Sequence, residues 1–180
     1  VVASPPFTTI PPQQRQLVRL IRTAAPPEQG EQAYRIILDE IPNADVPAVK
    51  NSAGLRLQIR YVLPLFLDGK GVWTQPRSDV RRDPASASQP QLSWQLVTEQ
   101  GKTLLRIRNA GKVHARLSEV FWGREADVSK ASLIVAKGFL GYVLAGQSMQ
   151  FPLPAGKTVP IGSTLFTHLT DNGPVVAISP

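Results

Sequence analysis

The chain of 180 residues contains no cysteine. That excludes disulfides, thiolate metal sites and a cysteine nucleophile, while leaving an oxidising compartment open. It has two histidines, His114 and His168, on separate apolar runs and never in an HxH or HxxxH spacing. A zinc site needs three or four ligands, so a metal reading would have to recruit distant carboxylates. No apolar run approaches the roughly 20 residues that cross a bilayer as a helix, and no signal-peptide pattern is visible. Gly-rich phosphate loops, nucleophile elbows and Walker patterns are also missing. Asp39-Glu40 looks like a pair of acids, but neighbours in a strand point to opposite faces, so the pair fits the end of a strand at a turn. An enzyme is not expected.

What is present favours an all-β protein. Hydrophobic residues make up 42% of the chain, enough for a core, and seventeen prolines and thirteen glycines punctuate short Val, Ile, Leu, Thr and aromatic runs. Residues 1–70 read as strands at VVAS, RQLVRLIRT, QAYRIILDEIP and SAGLRLQIRYVLPLFLDG, with Pro5-Pro6, Pro11-Pro12 and Pro26-Pro27 between or beside them. A helix over RQLVRLIRTA is an alternative, because Leu17, Leu20 and Ile21 share a helical face. Residues 71–90 lose apolar periodicity and read as a linker or long exposed loop. The strand pattern returns in seven runs: SWQLVTE, KTLLRIRNAG, ARLSEVFW, ASLIVAKGF, SMQFPLP, STLFTHLT and PVVAIS. Gly101, Asn109-Ala110-Gly111 and Asp171-Asn172-Gly173 supply turn chemistry between runs. Residues 91–180 are therefore expected to form an immunoglobulin-like sandwich.

The net charge of +7 raises the possibility of an anionic partner. Its positive residues are scattered, so a plain basic surface explains them as well. Arg106 and Arg108, with Phe121 and Trp122 nearby, could form a basic and aromatic platform for single-stranded nucleic acid. Most of the aromatics, however, fall inside apolar core patterns.

The most informative stretch is residues 52–69. Leu55, Leu57 and Ile59 alternate with Arg56, Gln58 and Arg60, and after Tyr61 the run turns almost wholly apolar. Taken alone, such a strand covers its own core with arginines in solvent. Together, VVASPPFTTIPP, LVRLI, YRIILDEIP and LRLQIRYVLPLF resemble, in order and spacing, the second half of the N-terminal domain of periplasmic pilus-assembly chaperones of the chaperone–usher pathway. TLLRIRNAG and STLFTHLTDNGPV are similar to later hairpins of that family. Pro64 stands where the best-known branch carries a lysine before its Leu-Phe pair, and the Arg-Tyr-x-Leu-Pro segment resembles the archaic branch.

The resemblance implies two immunoglobulin-like domains, over 1–70 and 91–180, with the first incomplete because its usual initial strands would precede Val1. It implies a non-enzymatic periplasmic protein without cofactor or metal. Its partners would be pilus subunits and an outer-membrane usher, with no nucleic acid and no membrane insertion. Leu55, Leu57 and Ile59 would be the donor residues that fill a subunit's open groove. Arg60, with Arg56 second, would anchor the subunit's terminal carboxylate through a bidentate fork. Tyr61 to Leu67 would be buried on both faces in the chaperone's own core. The alternative is a sandwich subunit or adhesive module that is itself part of a surface fibre.

Overall fold

The computed structural model describes residues 1–41, 57–170 and 173–180. Twelve strands account for its regular structure, with two short 3₁₀ turns at Pro84–Ser86 and Val128–Lys130. The all-β expectation holds. No helix among the described residues is long and apolar enough to cross a membrane.

Among the described residues before 70 there are two separate antiparallel ladders. Strand β1 (Val2–Ser4) pairs with β2 (Arg19–Ile21), so the segment that could also be read as a helix is extended. Strand β3 (Glu31–Asp39) pairs along its whole length with β4 (Arg60–Asp68), from Glu31 opposite Asp68 to Asp39 opposite Arg60. An open cavity of about 380 Å³ separates the two ladders. Val1, Ala3 and Leu20 line one side of it, and Tyr34, Ile36, Leu65 and Leu67 the other.

Residues 92–180 hold the core. Strands β5 (Leu92–Glu99), β6 (Lys102–Asn109) and β10 (Ser148–Pro152) make one sheet in the order β10-β6-β5. The facing sheet runs β12 (Val175–Ile178), β11 (Thr164–His168), β7 (Ala115–Gly123), β8 (Leu133–Ile134), and β9 (Phe139–Val143) also pairs with β7. Leu105, Ile107 and Phe151 of the first sheet meet Leu117, Val120, Trp122, Leu165 and Ile178 of the second, all at most 7% exposed. The sandwich expectation for this half is met.

Local chemistry explains its details. Gln100 and Gly101 both have positive φ, 50° and 74°. A two-residue hairpin between right-twisted strands requires that combination. In β7 the register slips against β9 beyond Leu117, and Glu119 takes a φ of 49°. The extra residue resets the alternation: Ala115 and Leu117 point into the core before it, Val120 and Trp122 after it. Asn109 is fully buried and ties four backbone groups. Its Nδ2 donates to the carbonyls of Val113 and Val143, and its Oδ1 accepts from the N–H of Gln91 and Gly111. The hairpin role expected of Asn109-Ala110-Gly111 is thus a side-chain hub.

Two expectations are corrected. Residues 71–90 are not exposed throughout. Val72 and Trp73 are buried, the Trp73 carbonyl accepts from Ser88 N–H at 2.7 Å, and the Arg82 guanidinium lies 5.3 Å over the Trp73 ring. The apolar half of β4 is not buried on both faces either. Tyr61, Val62 and Leu63 are about half exposed, and only Leu65 to Asp68 are half-buried, because the β1–β2 ladder reaches no further than the cavity end of the strand.

Candidate functional site

Strand β4 owes its two faces to the period of two. Within it Tyr61, Leu63, Leu65 and Leu67 have one parity, which Leu57 and Ile59 just before the strand share. Leu65 and Leu67 line the cavity against Val1, Ala3 and Leu20. Among the described residues nothing covers the other four, with Leu57 71% and Ile59 47% exposed. The change of pattern after Tyr61 therefore does not mark where the strand becomes buried: cover on this face begins only at Leu65. Leu55 and Arg56 lie outside the described residues.

The other face carries Arg60, Val62, Pro64 and Phe66. Arg60 makes a two-point contact with its cross-strand neighbour Asp39: Nε to Oδ1 at 2.6 Å and Nη2 to Oδ2 at 3.0 Å. This hydrogen-bonded guanidinium holds the Asp39 carboxyl below its ordinary range, and Asp39 in turn raises Arg60. Both groups stand in solvent, so the pair adds little stability. Glu40 closes the same end, its carboxylate accepting from Ile59 N–H at 3.1 Å. The pair of acids thus ends a strand, as the sequence indicated.

At its far end this face meets the second sheet system. Phe66 stacks on His114 with ring centroids 3.5 Å apart and planes within 10°, and Tyr142 packs edge-on against His114. Glu31, whose side chain is only 2% exposed, accepts from the backbone N–H of His114 at 3.2 Å and contacts its Nδ1 at 2.7 Å. Asp68, opposite Glu31 in register, has its pKa raised. Burial is the main cause and the Glu31 charge the second, opposed by His114 and Arg82.

The other candidates scatter. His168 is far along the chain from His114 and binds the Gly173 carbonyl and Glu119. Phe121 and Trp122 are fully buried, and Arg106 is paired with Glu99, so the nucleic-acid platform has no exposed ring. Sequence reading missed Tyr61 and Leu63, which continue the uncovered row; their shared parity with Leu57 was the available signal. It also missed Arg35, which lies directly opposite Pro64 on the Arg60 face.

Comparison with known proteins points the same way. Residues 1–72 match the model of the pili and flagellar-assembly chaperone family, PapD N-terminal domain. No curated protein sequence matches the chain. Among solved structures, a chain of the CsuC–CsuE chaperone–tip adhesion subunit pre-assembly complex, from the archaic chaperone–usher Csu pili of Acinetobacter baumannii, is similar. It superposes with a TM-score of 0.69 at 25% identity, covering 99% of this chain and 73% of that one. The resemblance to pilus-assembly chaperones of the archaic branch is borne out, and both the matched family and the structural neighbour are chaperones, a non-enzymatic class.

Proposed function

We propose, on the premise of that chaperone-domain match, that the chain is a periplasmic chaperone that caps pilus subunits by lending them a strand and delivers them to an outer-membrane usher. Residues 1–70 would belong to its first domain and 91–180 to its second, joined through 71–90. One observation carries the reading: the uncovered aliphatic row of β4 beside a strand edge that no described residue occupies. A monomer that exposed such an edge with no use for it would risk aggregation.

In this reading Leu55, Leu57 and Ile59 insert into a groove of the subunit while main-chain groups pair, as in strand addition generally. Each buried aliphatic side chain contributes roughly 1.5–3 kcal/mol before ordering costs. Arg60 and Arg56 remain the candidate anchors for a terminal carboxylate. Arg60 would exchange Asp39 for it, one bidentate contact for another, and Arg35 offers a second guanidinium across the ladder. No cofactor enters this cycle.

The test is co-expression with a pilus subunit followed by affinity capture. Leu57→Glu, at an already exposed position, leaves folding intact by circular dichroism and abolishes capture. Arg60→Ala weakens capture far more than Arg106→Ala. Wild-type capture by Leu57→Glu would remove the insertion face, and equal effects of the two arginine variants would remove the anchor.

A further inference from the structure

The backbone of β4 sets a limit on any strand that pairs with it. Two hydrogen bonds fix the phase of the β3–β4 ladder: Glu40 N–H to the Ile59 carbonyl and Gly69 N–H to the Gly30 carbonyl, both 2.9 Å. In an antiparallel pair, residues that exchange hydrogen bonds alternate with residues whose N–H and C=O point away from the partner. Ile59, Tyr61, Leu63, Leu65 and Leu67 therefore bond to β3. Arg60, Val62, Pro64 and Phe66 present their backbone groups to the open edge. Pro64 has no N–H to present.

We infer that the edge offered to a client strand ends at Pro64, and that the insertion row beside it runs from Leu57 through Ile59 and Tyr61 to Leu63. This deepens the donor-strand reading and rests on it. Arg60 and Val62 supply two complete donor–acceptor positions at the edge. At the next position an incoming carbonyl would face the pyrrolidine ring, the device by which natural sheets blunt an edge. The proline thus sets the register of the client before any charged anchor acts. Tyr61 and Leu63, 55% and 45% exposed, are the side chains such a client has to accommodate beyond the three aliphatics read from the sequence. Tyr61 sets the stricter demand, since its hydroxyl needs a polar partner once buried. The outer edge of β3 contains no proline at Ala33, Arg35 or Ile37, so it supplies the competing site.

The experiment is residue-resolved amide hydrogen exchange of the whole chain, with and without the peptide acetyl-Thr-Val-Thr-Val-Thr-Val-Thr-amide as an alternating probe strand. Saturable protection is expected at Arg60 and Val62 and not at Phe66. In Pro64→Val, which restores an N–H at similar size, protection extends to residue 64 and Phe66, and affinity rises about tenfold, what two added hydrogen bonds give at the low end of their range. Protection at Phe66 in the unaltered chain, protection at Ala33 and Ile37 in place of β4, or no saturable protection at millimolar peptide would each overturn the inference. Indifference of subunit capture to Leu57→Glu would instead strike the donor-strand reading, so the two failures are told apart.

Discussion

The two ends of this chain use apolar residues in opposite ways. Every member of the core cluster lies between Leu105 and Ile178, where two sheets close on each other. Most of the exposed large apolar side chains lie before Pro64: Phe7, Leu17, Ile37, Leu57, Tyr61 and their neighbours. Both halves are built of strands, so secondary structure does not explain the contrast. Layering does. A sheet needs a second layer on its apolar face, and β7 has one in β6, whereas the first part of β4 has none among the described residues. The same kinds of side chain that line the core of the second half are left at the surface among the described residues of the first.

Truncating the core gives the largest expected effect. Leu117→Ala, at a site with no exposure, should cost about 2–5 kcal/mol, the range for buried leucines. Ile37→Ala, 56% exposed on β3, should cost less than about 1 kcal/mol. Urea unfolding followed by tryptophan fluorescence measures both. Equal losses would mean that the first half buries Ile37 in solution, and the contrast would fail.

Asn109 comes next. Asn109→Ala leaves two carbonyls and two N–H groups without their partner, and the bonds to Val113, Val143 and Gly111 are buried. A loss of roughly 2–4 kcal/mol is expected, since unmet buried polar groups are penalised individually. Asn109→Asp keeps the acceptor but turns a carboxylate toward the carbonyls of Val113 and Val143, so it should be no better than alanine. If aspartate restored wild-type stability, the hub would rest on Oδ1 alone, and the second half would depend less on polar specificity than on packing.

Much of this architecture was legible in the sequence, for local reasons. Alternation located β3, β5, β6 and β10, and Gly101 marked the tight hairpin. What escaped was set by contacts distant along the chain. Trp73 sits in a polar run and is buried through Ser88. The bulge at Glu119 reverses alternation inside β7 and leaves no mark that residue types reveal. Strand β9 was only touched at its first residue, Phe139, because Gly138 and Gly141 break its pattern. At the candidate site the aliphatic row was readable from parity alone. The Arg60–Asp39 pair depends on the ladder register, and the junction pair Glu31–His114 spans 83 residues.

That junction gives the smallest and most discriminating prediction, because it is where the two halves touch. Asp68 is half-buried, and its pKa is raised chiefly by burial and then by Glu31. A carboxyl whose folded pKa exceeds its unfolded one destabilises the fold when ionised. The cost is absent well below the unfolded value of about 3.9, grows as pH rises, and is complete above the folded value. Asp68→Asn keeps the shape and removes the charge. Its thermal midpoint should therefore exceed that of the unaltered chain at pH 7, with the difference shrinking to nothing as pH falls below about 4. A pH-independent gain would trace the effect to packing. A loss at neutral pH would mean that attraction to His114 and Arg82 outweighs burial, making Asp68 a charged tie between the two halves.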